Sequence, residues 1–162
     1  MFERFDEDAR RRVIRLAAEE SRRRGDERIG TEHVLLALLR DPDSVATRAL
    51  GVDVERGRAA LDDLDREALS AVGIDLSSMG RPVPVLTRRR PPFTSGAREV
   101  LHRAVLVARN EKAHRIQARH LLLGVLTRRR PDPAAELLDS LGIDAAAVRD
   151  LLTRQASPGE PT

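Results

Sequence analysis

Four histidines, His33, His102, His114 and His120, are the residues of this chain best suited to acid–base or metal chemistry at neutral pH. Their spacing argues against both. His33 and His120 fall at corresponding places of two similar stretches, and His114 and His120 are six residues apart, which puts them on different faces of a helix. A helix-start histidine whose ring bonds the backbone is the expected role. The chain has no cysteine, so thiolate chemistry, disulfides and Cys-ligated zinc are excluded. It also lacks a GxxxxGK[ST] phosphate loop, a GxGxxG turn, an HExxH helix and a GxSxG elbow. Neither ATP hydrolysis nor a serine nucleophile is expected, no metal or cofactor is called for, and the chain reads as a non-enzyme.

Arginine offers the other chemistry, the binding of anions. Apart from Lys112 every basic side chain is Arg, and triplets stand at 10–12, 22–24, 88–90 and 128–130. Glu7, Asp8, Glu19 and Glu20 precede Arg11, Arg12, Arg23 and Arg24 by four residues, so the first two triplets read as compensated, solvated helix faces. No acid interrupts 76–98 or 112–131, and such stretches can bind phosphates by counterion release. A basic helical protein associated with nucleic acid is therefore the alternative reading. Ordinary solvated loops are favoured over it, because no recognition motif accompanies the arginines. The formal charge of +3 divides into an acidic first half, with 14 Arg against 18 acids over 1–75, and a basic remainder.

These side chains need a scaffold, and composition says which kind. With 162 residues the chain can bury one real core, and 41% apolar beside 34% charged residues, with Phe2, Phe5 and Phe93 as the aromatics, suits an all-α protein. No apolar run approaches the roughly 20 residues of a membrane span, and MFERFDEDARRR is no signal peptide, so a cytoplasmic setting is expected. Self-comparison reveals a repeat. Phe5, Ala9 and Arg10 recur as Phe93, Ala97 and Arg98; Ile29, His33, Leu35 and Leu36 recur as Ile116, His120, Leu122 and Leu123; Leu50-Gly51-Val52-Asp53 returns as Leu141-Gly142-Ile143-Asp144. Helical spacing in both units predicts four helices each, with Asp6 and Thr94 as N-caps of the first. Gly51 and Gly142 fit helix ends, and Asp53 and Asp144 fit the caps that follow. The expected organisation is a first repeat over 1–61, a linker over 62–92 with one short helix near 66–72 and then a proline- and arginine-rich extended segment, a second repeat over 93–155, and a disordered tail over 156–162.

Phe2 and Phe5, then Ile29-Gly30-Thr31-Glu32-His33-Val34-Leu35-Leu36-Ala37-Leu38, resemble the Clp amino-terminal repeat domain at the front of ClpC- and ClpA-type AAA+ unfoldases, with its IGTEHxLLGL signature. The second unit, Ile116-Gln117-Ala118-Arg119-His120-Leu121-Leu122-Leu123-Gly124-Val125, matches more loosely, and Pro92-Phe93-Thr94 with Ala97-Arg98 resembles the family's PFTPRAK. The insert is longer than the ClpC linker. The resemblance implies a pseudo-twofold bundle of two four-helix Clp repeats that binds peptides, degradation clients or adaptors of a Clp protease, and that could also dock on the unfoldase itself. With no ATPase module in the chain, it implies a free-standing copy acting as accessory or decoy.

The resemblance also implies sites. Family members of the ClpC type bind phosphorylated arginine twice, a TEH glutamate pairing with the guanidinium and a threonine near the opening Phe lying by the phosphate. Carried over, one site has Glu32 with Asp6, which repels phosphate, and the other has Thr94 with Arg119, which repels guanidinium. Phosphoarginine binding is then expected to be weak or lost, and retained, if anywhere, around Glu32. A second implied surface is a small apolar cleft that Phe2, Phe93 and Arg98 match. That these phenylalanines only staple helix starts to the core remains open at this point.

Overall fold

The computed structural model describes residues 3–75 and 91–156. Phe2, the extended segment up to residue 90 and the tail beyond 156 lie outside the described residues. Among the described residues eight helices follow one another: α1 Glu3–Arg24, α2 Thr31–Leu39, α3 Val45–Leu50, α4 Val54–Ala71, α5 Ser95–Asn110, α6 Ala118–Leu126, α7 Pro133–Ser140 and α8 Ala145–Ala156. The protein is all-α, as its composition predicts.

The two most apolar helices take the centre. In α2, Val34 to Leu39 are all buried, and in α6 so are Leu121 to Leu126. A helix apolar on every side has to be enclosed, and each such leucine contributes about 1.5–3 kcal/mol on burial. The enclosing contacts cross between repeats in reciprocal pairs: α2 packs on α7 as α6 packs on α3, α4 on α7 as α3 on α8, and α2 on α5 as α1 on α6. Each repeat thus completes the core of the other. Local chemistry sets the ends. Ser44, Asp53, Thr94, Asp132 and Asp144 accept first-turn amides at 2.8–3.1 Å, and Gly51 and Gly142 adopt φ of 68° and 71°, which favours glycine.

Three expectations are corrected. Asp6 lies inside α1, which begins at Glu3, so it is not an N-cap. The separate helix near 66–72 is the distal part of α4, which runs unbroken from Val54 to Ala71 across the expected repeat boundary at 61/62. The acids near the second Arg triplet have other partners. Glu20, buried in α1, takes Arg58 Nη2 at 2.6 Å and Arg40 Nη1 at 3.1 Å, joining α1, α2 and α4. Glu19 pairs with Arg15 and Arg40, and Arg24 turns to Asp26, Asp62 and Asp65. Burial pushes the Glu20 carboxyl up, but Arg58 and Arg40 outweigh it and hold it below the usual carboxylate range.

Candidate ligand-binding site at the repeat junction

His33 fulfils the helix-start role. It stands third in α2, where its Nδ1 accepts the Gly30 amide at 2.9 Å and its Nε2 lies 2.8 Å from Asp26 Oδ2. Because Nδ1 offers a lone pair to an N–H, the ring proton is assigned to Nε2, which donates to Asp26. Burial raises the Asp26 carboxyl, yet the His33 hydrogen bond and Arg24 prevail and hold it low. His120 repeats the arrangement: Nδ1 accepts from Gln117 N at 2.9 Å, and Nε2 meets Glu111 Oε2 at 3.0 Å.

Glu32, beside His33, is different. Its side chain is 17% exposed and folds over Gly30, so closely that a Cβ on Gly30 would lie 2.2 Å from its Oε2. That oxygen is buried and accepts no hydrogen bond among the described residues. Oε1 is 3.8 Å from His33 Nδ1, too far for a hydrogen bond. A desolvated carboxylate oxygen without a donor is costly, and it suits an incoming cation. Asp26, Glu32 and His33 bring ligand atoms within 4.8 Å of one another, as a metal centre would require. The ring excludes that use. Both nitrogens are engaged, so a metal on either one would demand an imidazolate or break the bond to Gly30 that starts α2.

The structure recombines the expected pairs. Arg40, at the end of α2, reaches Glu19 and Glu20, while His33, at its start, reaches Asp26 just past α1, so the two helices are antiparallel. Asp6 therefore lies about 27 Å along α1 from Arg24, at 1.5 Å per residue, far from Glu32. Arg119 is bound to Glu111 at the far end of α5, about 25 Å from Thr94 by the same measure. Three residues before Glu32, the backbone of Ile29 pairs with the start of α5. Ile29 N donates to Pro92 O at 2.8 Å and Thr94 N to Ile29 O at 2.9 Å, a parallel bridge between Ile29 and Phe93. Thr94 Oγ1 accepts the Ala97 amide at 3.1 Å, leaving the amides of Ser95 and Gly96 at the helix mouth. Phe93 is half-buried against the core, and Arg98 is exposed one turn into α5.

At the other end of α5 the guanidinium is the chain's own. Arg119 Nη1 donates to Glu111 Oε1 at 3.0 Å and Nη2 to Oε2, a two-pronged pair in which Arg119 is 15% exposed. The Arg119 hydrogen bonds, opposed by burial and aided by His120, hold the Glu111 carboxyl below its usual range. Arg128 is likewise engaged, with Glu99 at 2.8 Å and Asp132 at 2.9 Å. The acid-free run 112–131 is thus partly neutralised by acids outside it. Sequence reasoning missed Asp26, Glu111, Thr31 and Asp132, whose partners are set by loops and by the other repeat, with no local spacing to reveal them.

No helix among the described residues is long and apolar enough to cross a membrane. The Clp repeat (R) N-terminal domain matches residues 4–70 and 92–161. The chain is 33% identical over its whole length to the chloroplastic chaperone protein ClpC2 of Oryza sativa subsp. japonica, of which it spans 16%. It is 32% identical over 95% of its length to chloroplastic ClpC1 of Arabidopsis thaliana, spanning 15% of that protein. Among solved structures, the N-terminal domain of the chaperone ClpD from Arabidopsis thaliana superposes with a TM-score of 0.64 at 23% identity, covering 97% of this chain and 100% of that one. The Hsp104 N-terminal domain from Candida albicans, at 18% identity and a TM-score of 0.55 over 93% and 91% of the two chains, has the same fold. Two matched repeats joined through reciprocal helix contacts make this chain a member of the Clp repeat (R) N-terminal domain family.

Proposed function

We propose that the chain is a non-catalytic protein- and peptide-binding module that engages clients or adaptors of a Clp unfoldase, and that it reads phosphorylated arginine through one composite site. Glu32 takes the guanidinium, and the mouth of α5, with Thr94, takes the phosphate. The observation that carries this reading is the buried oxygen of Glu32 that has no donor among the described residues, in a helix whose approach, Ile29, is bonded to the start of α5. A carboxylate suits the guanidinium fork, and helix amides suit a phosphate. This reading joins Glu32 with Thr94, where the resemblance taken repeat by repeat joins Glu32 with Asp6 and Thr94 with Arg119; the lengths of α1 and α5 support the former. On the opposite side Arg119 fills the guanidinium place and closes it. In the cell the module acts as accessory or decoy, holding tagged clients near or away from the unfoldase. Its expected setting is the cytoplasm, although the plant relatives are chloroplastic.

Calorimetry with a phosphoarginine peptide and its unmodified arginine counterpart tests the site. Micromolar binding of the phosphorylated peptide alone, with one peptide per chain and loss in Glu32→Gln, is expected. Equal affinity for both peptides, or full affinity in Glu32→Gln, would overturn it.

A further inference from the structure

The distance between a carboxylate that takes a cation and amides that take an anion decides which ligand can bridge them, so whatever sets that distance sets specificity. Thr31 lies between the two. Its Oγ1 donates to Asp132 Oδ1 at 2.7 Å and accepts the Ala134 amide at 3.2 Å, so a side chain at the start of α2 shares in capping α7 of the other repeat. Asp132, 7% exposed, is held from its other oxygen by Arg128 Nε at 2.9 Å, and Arg128 reaches on to Glu99 of α5 at 2.8 Å. The methyl face of Thr31 looks at α5: a Cβ on Gly96 would lie 3.3 Å from Thr31 Cγ2, 3.2 Å from Asp132 Oδ2 and 3.3 Å from Arg128 Nη2. Gly96 permits this approach of the first turn of α5 to Thr31, one residue from Glu32.

The pseudo-symmetric side lacks the arrangement. Ala118 stands where Thr31 does, and the counterpart of Asp132 is Ser44, whose hydroxyl stays within its own segment on Leu38 O and Thr47 Oγ1 at 3.2 Å. Among the described residues the contact thus exists once, on the side that has Glu32, and is missing on the side of Arg119. We propose that Thr31 and Asp132 are positioning residues, a latch between the repeats that fixes the gap between Glu32 and the mouth of α5 and so selects a ligand carrying guanidinium and phosphate at one separation. This rests on the phosphoarginine reading for its ligand, but not for its geometry.

The test compares Thr31→Val, which keeps shape and loses the hydroxyl, with Thr31→Ser, which keeps the hydroxyl. In Thr31→Val the phosphoarginine peptide is expected to bind about tenfold more weakly, the order of one lost positioning hydrogen bond. Inorganic phosphate, which needs only the α5 mouth, binds unchanged, and Thr31→Ser restores the peptide affinity. Wild-type peptide affinity in Thr31→Val overturns the latch while leaving the site intact. Should the unaltered chain fail to bind the peptide, the ligand reading falls and amide hydrogen exchange decides the latch. Exchange at Ala97 and Arg98, whose amides are held by Thr94, at least tenfold faster in Thr31→Val, with core amides of α6 unchanged, supports it, and unchanged exchange refutes it.

Discussion

Ile29 and Phe93 are held side by side by two backbone hydrogen bonds, Ile29 N to Pro92 O at 2.8 Å and Thr94 N to Ile29 O at 2.9 Å. The peptide groups that precede α2 and α5 are therefore paired across the repeats, two residues before the first turn of α2 that carries Glu32 and at the N-cap Thr94 of α5. A duplicated motif does not make a site within each copy. On the proposed reading the junction between copies does.

Glu32 should trade stability for binding. Replacing it with Gln removes the charge from a buried oxygen that lacks a donor, so Glu32→Gln is expected to melt at the same temperature as the unaltered chain or slightly above it, while losing the phosphoarginine peptide. Differential scanning calorimetry beside peptide titration checks both halves. A clear fall in Tm would mean that the carboxylate has a structural partner.

Glu20 should behave in the opposite way. It is 1% exposed and joins three helices through Arg40 and Arg58, so Glu20→Gln leaves two guanidinium groups short of their counter-charge. A loss of about 2–3 kcal/mol is expected, seen as a urea midpoint shift or a Tm lower by roughly 5–10 °C. A change under half a kcal/mol, on the order of a surface pair, would show that the cluster is solvated.

Acid should weaken the fold through three named carboxylates. Glu20, Asp26 and Glu111 are all held below their ordinary values of 4.5, 3.8 and 4.5 in the folded chain. Between the folded and unfolded values the unfolded chain binds more protons. Their stabilisation is thus complete above the unfolded values and disappears as pH falls below about 4 through the folded ones. Melting between pH 7 and 3 checks this, and Glu20→Gln should show a shallower acid limb. An identical limb in the variant would remove Glu20 from the account.

Gly124 should resist even one methyl group. A Cβ there would lie 2.7 Å from Val100 O, backbone that cannot rotate away, where α6 crosses α5. Gly124→Ala is expected to cost about 1–3 kcal/mol despite the better helix propensity of alanine. Equal or raised stability in chemical denaturation would show that the helices can separate at no cost.

What the sequence made legible was local. Caps at Thr94, Asp53 and Asp144 and the glycine stops at Gly51 and Gly142 follow from the chemistry of a single turn. The helix-start role of His33 and His120 follows from their place before an apolar run. What it concealed depends on contacts across the chain. Nothing near Glu20 indicates Arg58, and nothing in either repeat indicates that Ile29, at the approach to α2, pairs with the start of α5. The length of α4 is concealed for a different reason: repeat similarity fades near residue 61, yet Asp62 to Arg66 contains no glycine or proline to stop a helix.

The two helix-start histidines have a last consequence, for reactivity. In His33 and His120 the lone pair that would attack an electrophile already accepts a backbone N–H, and both rings are at most 1% exposed. His102 and His114 are exposed. An acylating reagent meeting the native chain should therefore find two imidazoles and find all four only after unfolding, so the count of modified rings reports on whether α2 and α6 are still wound at their starts.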